Sequence, residues 1–154
     1  LKSIVIPDSV TIIIDEAFIG CTALESVVFG HGISTIGDIF QGCTSLKSVT
    51  IPNNVTHIYE TALLYHKSDF FIYGYKGSYA ETYAKENDVQ FKMIHVKGDI
   101  DLDGLATIHD VTLIQRYCAD EIETIEAPVN YVDVDGNDSI DINDATAIQR
   151  LLVE

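Results

Sequence analysis

Apolar residues in the first part of the chain recur at a period too long for a single helix or strand. Leu1-x-x-Ile4-x-Ile6, Leu24-x-x-Val27-x-Phe29 and Leu46-x-x-Val49-x-Ile51 are three copies of one pattern, offset by 23 and 22 residues. Val10, Ile33 and Val55 follow in phase, and then Ile13, Ile36 and Ile58. A unit of this length cannot bury its own apolar side, but stacked units can, each lending one short strand to a continuous core. After the third copy, Phe70-Phe71-Ile72-Tyr73-Gly74 predicts a last repeat strand. Ser78-x-x-Glu81 predicts a capping box opening a helix that ends near Asn87. Val89–Ile94 predicts one further extended stretch. Helix and strand together read as a cap over the apolar end of the stack.

Periods of 20–29 residues with this leucine spacing signal a leucine-rich-repeat solenoid. The phrases LKSIVIPDSV, FIGCTALESVVF and FQGCTSLKSVTIPNNV resemble the BspA-like leucine-rich repeats of bacterial surface and secreted proteins. The resemblance implies short strands wound into a right-handed coil with a helical C-terminal cap, over residues 1–95. About three repeats are visible, and the chain opens at Leu1 inside one, which reads as a piece cut from a longer protein. Cys21 and Cys43 occupy one repeat phase, so they should lie on neighbouring rungs, as buried thiols or as a disulfide. Cys118 reads as a small apolar residue on a helix.

The pattern changes after residue 95. Asp99-Ile-Asp101-Leu-Asp103-Gly104 and Asp133-Val-Asp135-Gly-Asn137-Asp138 place oxygen-bearing side chains at every second position, and the two segments start 34 residues apart. Carboxylates at that spacing repel one another unless a hard dication sits among them, taking oxygen ligands at about 2.3–2.6 Å. Counted from Asp99, the order is that of an EF-hand loop: Asp99, Asp101, Asp103, the Leu105 carbonyl, Thr107 at position 9 and Asp110 at position 12. The second copy gives Asp133, Asp135, Asn137, Ser139, Asp141 and Asp144. Two calcium ions are therefore expected. Position 12 is Asp rather than Glu in both loops, which draws the exiting helix toward the metal. Position 6 of the second loop is Asp138 in place of Gly, so that site is expected to bind more weakly.

Helical periodicity follows each loop, through Val111, Leu113/Ile114 and Tyr117, and through Ala145, Ile148 and Leu151/Leu152. The stretches before the loops, 93–98 and 128–132, read as unhelical. Loop then helix, twice, without an entering helix, resembles the dockerin module of cellulosomal proteins. GDIDLDGLATIHDVTLIQRY and VDVDGNDSIDINDATAIQRLL carry the resemblance. It implies a small all-α module over residues 96–154 that binds a cohesin of a scaffoldin when calcium folds its loops.

The two helices also agree outside the ligands. Ile108, His109, Thr112, Gln115 and Arg116 align with Ile142, Asn143, Thr146, Gln149 and Arg150, and helical spacing puts each set on one face. The resemblance implies that this face meets cohesin, and its duplication implies two alternative docking orientations. The competing reading makes Ile108 and Ile142 core residues, with Gln and Arg a solvated face.

Composition narrows the function classes. Of 154 residues, 47% are hydrophobic and 21% charged, with no apolar run near the ~20 residues a membrane helix needs. Residues 1–95 carry six Lys/Arg against ten Asp/Glu, whereas 96–154 carry three against fourteen. Such a tail repels nucleic acid and anionic membrane. His31, His57, His66, His95 and His109 are scattered, and no nucleophile elbow, zinc motif or phosphate-binding loop occurs. Asp15, Glu16 and Glu60 read as solvated repeat surface. Tyr59, Tyr65, Tyr73 and Tyr75 read as cap packing or contacts to a protein or carbohydrate ligand.

The expectation is a non-catalytic, secreted protein, tied to the cell surface through a scaffoldin, whose repeats serve recognition. Two alternatives stay open: an accessory piece of a polysaccharide-degrading enzyme with its catalytic domain upstream, and a calcium-dependent adhesin.

Overall fold

The structure is a computed structural model that describes residues 1–63 and 69–153. Tyr65 and His66 lie outside the described residues. The chain divides into two compact units, Leu1–Met93 and Ile94–Glu154.

The first unit runs β1 (Ser3–Val5), β2 (Ser26–Val28), β3 (Thr35–Ile36), β4 (Ser48–Thr50), β5 (His57–Ile58), β6 (Phe71–Gly74), α1 (Tyr79–Glu86) and β7 (Gln90–Met93). A five-stranded, all-parallel sheet is ordered β1-β2-β4-β6-β7, and β3 pairs with β5 in a second, parallel sheet. The register explains the period of the sequence. Ser3, Ser26, Ser48, Phe71 and Gln90 stand in one row, and Ile4, Val27, Val49, Ile72 and Phe91 in the next. The second row points inward, so Val27, Val49 and Ile72 are fully buried. Five rungs thus stack in register where leucine spacing marks three. Backbone bonds continue past the strand ends, as in Ile6 N–H to the Val28 carbonyl and Phe29 N–H to that of Thr50. Each rung therefore satisfies its polar backbone on its neighbours.

The cap forms as expected. Ser78 is the N-cap of α1, its hydroxyl accepting from Glu81 N–H at 3.3 Å. The reciprocal bond is displaced by one residue, because the Glu81 carboxylate accepts from Gly77 N–H at 2.7 Å. Ala80, Tyr83 and Ala84 are buried. The Tyr83 hydroxyl accepts from Leu63 N–H and donates to the Glu60 carbonyl at 2.9 Å, tying the helix to the rung before it. Cys43 is buried and Cys21 half-buried, both as thiols.

The second unit holds α2 (Ile108–Cys118), α3 (Val129–Val132) and α4 (Ile142–Leu151). Helices α2 and α4 lie against each other, burying Val111 and Ile114 of the first and Ala145 and Ile148 of the second. One sequence expectation needs correction. Residues 129–132, read as unhelical, form one helical turn after Pro128, whose φ of −60° suits a helix start. A single turn is too short to leave an apolar period in the sequence. Cys118 is on a helix as expected, at its exposed last residue.

Candidate functional site

Each acidic segment folds into a loop that leads into a helix. In the first loop, the Asp99, Asp101 and Asp103 side chains each bring a carboxylate oxygen within 4.8 Å of the others. In the second, Asp133, Asp135 and Asp144 do the same. The convergence is set by backbone bonds rather than by the carboxylates themselves. Asp101 Oδ1 accepts from Asp103 N–H at 3.1 Å, and Asp103 Oδ1 from Leu105 N–H at 2.9 Å. The second loop repeats the ladder, with Asp135 accepting from Asn137 N–H and Asn137 from Ser139 N–H. These short-range Asx turns fix the chain course. The Leu105 side chain is exposed, as is Ser139. Asn137 also donates from its amide to Asp135 Oδ2 at 3.1 Å.

Both loops need left-handed backbone at positions 4 and 6. The first has Leu102 (φ 65°) and Gly104 (φ 96°); the second has Gly136 (φ 78°) and Asp138 (φ 65°). Each loop thus spends one glycine and one costlier residue, in opposite order. The penalty that the sequence assigns to Asp138 alone has a counterpart at Leu102.

Position 12 joins loop to helix. Asp110 Oδ1 accepts from the N–H groups of Ile100 (2.7 Å) and Asp101 (3.2 Å), while Oδ2 accepts from Thr107 N–H and the Thr107 hydroxyl. Asp144 accepts in the same way from Val134, Asp135 and Asp141 N–H groups. Thr107 and Asp141 are the N-caps of α2 and α4, each closing a capping box with its position-12 Asp. One short Asp side chain therefore both cinches the loop and starts the helix. That double role was missed in the sequence, although T-x-x-D and D-x-x-D spacing marks it. Asp110 stands outside the converging triad of its loop, whereas Asp144 is part of its own. Asp110 Oδ2 takes an extra hydroxyl donor from Thr107, which Asp141 does not offer.

Burial supplies the test of whether these residues suit a dication. Asp99, Asp110 and Asp144 are fully buried, and Asp133 nearly so. Asp99 Oδ2 accepts from Gly104 N–H at 2.9 Å, but Asp99 Oδ1 is buried with no hydrogen-bond partner. Burial above all, then the Asp110, Asp103 and Asp101 charges, push its pKa up to about 6 against the Gly104 bond. Burial also presses the Asp133 pKa upward, but N–H donors from Asp138, Gly136 and Asn137 together hold it below the usual range. A buried carboxylate oxygen without a donor, among like charges, fits a hard cation in that place. Gly98, at the mouth of the first loop, has φ 84°, and a Cβ there would sit 3.2 Å from Ile148. Its N–H donates to the Tyr131 carbonyl at 2.8 Å, so the first loop is anchored on the second motif.

All ten residues assigned to a docking face are exposed. Ile108 is 64% and Ile142 52% exposed, so neither is a core residue. Val111, Ile114, Ala145 and Ile148 fill the helix interface instead. The Thr112 and Thr146 hydroxyls donate to the carbonyls of Ile108 and Ile142, so the two copies match in this bond as well. The copies differ at one point: His109 Nε2 lies 3.7 Å from Asp101 Oδ2, where the second copy has Asn143. Arg116 pairs with Glu121 at 3.3 Å. His31 lies in a turn, its N–H on Asp8; His57 is on β5; His95 stacks on Tyr131. Among the described residues, no helix is long and apolar enough to cross a membrane.

Comparison with known proteins matches residues 1–101 to the BspA type leucine rich repeat region, in six copies, and residues 97–153 to the dockerin type I domain. No curated protein and no solved structure matches the chain. Type I dockerins bind calcium in general, and the presence of one implies cohesin binding in extracellular, cellulosome-type assemblies. Repeat and dockerin modules are both non-catalytic. The chain belongs to the BspA-type leucine-rich-repeat family and carries a type I dockerin domain after its repeats.

Proposed function

We propose that this protein is a secreted adaptor, built from a recognition domain over residues 1–95 and a docking domain over 96–154. The docking domain anchors the repeats to a scaffoldin at the cell surface. Two calcium ions are held, one by Asp99, Asp101, Asp103, the Leu105 carbonyl and Asp110, the other by Asp133, Asp135, Asn137, the Ser139 carbonyl and Asp144. Each ion supplies the positive charge that offsets repulsion among the converged, buried carboxylates, and folding and metal uptake form one equilibrium. Asp110 and Asp144 pass that order to α2 and α4 through the capping boxes.

The observation that carries the reading is the duplicated exposed face. Ile108, His109, Thr112, Gln115 and Arg116 recur as Ile142, Asn143, Thr146, Gln149 and Arg150, all outward, over one shared apolar seam. An isoleucine exposed at the same place in both copies costs solubility unless a partner covers it. Arginine beside it suits a fork onto carboxylates of that partner. Because the two faces are near-equivalent, cohesin is engaged in either of two orientations. The test is capture of the full chain by a panel of cohesins in calcium and in chelator. Capture by at least one, abolished by chelator, is expected; no capture in calcium overturns the proposal and favours a free adhesin.

A further inference from the structure

Two thiols stand in matching turns on consecutive rungs of the repeat unit. Gly20-Cys21-Thr22 and Gly42-Cys43-Thr44 follow the same backbone course, with both glycines left-handed (φ 67° and 77°). In each turn the Cys N–H donates to the carbonyl three residues back, Phe18 or Phe40, and the Thr N–H to that of its glycine. The turns lie directly on each other. Gly20 N–H donates to the Gln41 carbonyl at 2.8 Å, Phe18 and Phe40 stack at 5.7 Å, and a Cβ on Gly42 would meet Gly20 Cα at 3.3 Å. Cys43 Sγ reaches the Phe18 carbonyl at 3.1 Å, so this side chain is aimed at the rung that carries Cys21. Burial chiefly, and then the neighbouring Cys21 thiol, raise the Cys43 pKa. Cys21 is the more accessible of the two.

We propose that Cys21 and Cys43 are a redox pair that closes a reversible cross-link between these two rungs. Stacked backbones lie about 4.7–4.9 Å apart, inside the range of about 4.4–6.8 Å that a disulfide spans between Cα atoms. Parallel side chains in register place their Cβ atoms near the same spacing, slightly beyond the about 3.5–4.5 Å that a relaxed disulfide takes. A small shift of the turns closes that gap, and the partly accessible Cys21 sulfur leaves the bridge open to attack by an external thiol, as reversibility requires.

The oxidant is a small-molecule disulfide such as oxidised glutathione. The Cys21 thiolate attacks it, forming a mixed disulfide and releasing one glutathione thiol. The Cys43 thiolate then attacks the Cys21 sulfur and releases the second. Two protein thiols are oxidised, one glutathione disulfide is reduced to two thiols, and the protein protons pass through solvent to the leaving thiolates. The cross-link closes a loop from residue 21 to residue 43 and locks the two turns together.

The test uses the full chain with Cys118→Ser, which removes the exposed thiol, alongside the unsubstituted chain. Both are equilibrated across mixtures of reduced and oxidised glutathione, acid-quenched, alkylated with iodoacetamide, weighed intact and mapped by proteolysis. At the oxidising end, the expected result is loss of both alkylatable thiols in the Cys118→Ser chain. Its mass falls by two hydrogens, and a peptide joining Cys21 to Cys43 appears, all reversed by excess reduced glutathione. The same joined peptide in the unsubstituted chain excludes an effect of the substitution. Two alkylated thiols at every ratio overturn the proposal. So does a stable glutathione adduct on Cys21 with Cys43 still alkylatable.

Discussion

Gly136 offers the sharpest single-residue test of the calcium loops. Its φ is 78°, a Cβ placed on it meets nothing within 4 Å, and its N–H donates to Asp133 Oδ1 at 2.7 Å. Gly136→Ala therefore keeps the hydrogen bond and adds no clash; only the left-handed backbone is penalised. That penalty is about 1–2 kcal/mol for an L-residue, and it falls on the ordered loop, not on the disordered one. Calcium affinity at the second loop should fall by roughly 5–30-fold, since ~1.4 kcal/mol is a factor of ten. Gly136→Asn should lose less, because Asn enters the left-handed region more readily than Ala. The first loop carries its own left-handed pair, Leu102 and Gly104, and serves as an internal control. Competition titration against a chromophoric chelator, resolving two constants, makes the measurement. Unchanged constants for Gly136→Ala, or an equal fall at both sites, would refute the backbone argument. An Asn variant weaker than the Ala variant would do the same.

Calcium removal should lower the helical circular dichroism of the Ile94–Glu154 unit while the parallel-sheet signal of the repeats persists; a chelator-insensitive helical signal would contradict the coupling of folding to metal. For docking, alanine at Ile108 and His109, or at Ile142 and Asn143, should leave cohesin affinity within about 3-fold. Changing both pairs should lower it more than about 100-fold, as expected when an interface loses its central anchors; calorimetry decides, and loss from one pair alone would mean a single orientation. In the repeats, Ile72→Ala should destabilise the unit by about 2–5 kcal/mol as a cavity in a close-packed core. Val5→Ala, at a side chain 70% exposed, should stay within about 0.5 kcal/mol. Urea unfolding followed by tyrosine fluorescence separates the two.

What the sequence disclosed was set by how far each feature depends on near neighbours in the chain. The repeat phase was legible because parallel stacking puts residue i against i+22 or i+23, so apolar selection at Val27, Val49 and Ile72 writes the register directly into the spacing. The Ser78 cap was legible for the same reason, since its partner Glu81 is three residues away. One turn of helix at 129–132 was not legible, because four residues carry no period. Nor was the exposure of Cys118, which depends on where α2 stops rather than on local pattern. The loops show the boundary most clearly. Alternating aspartates announce oxygen ligands, but not the capping box that holds the position-12 Asp in each loop. The Thr107 hydroxyl binds Asp110, whereas Asp141 has no hydroxyl to give Asp144. The difference is one atom group three residues from the ligand, and a ligand-order template has no place for it. It follows that the two loops hold their last carboxylate differently, even though their ligand spacing is the same. The Thr107/Asp141 pair, beside Asp138, is therefore a place to seek any inequality in their affinities.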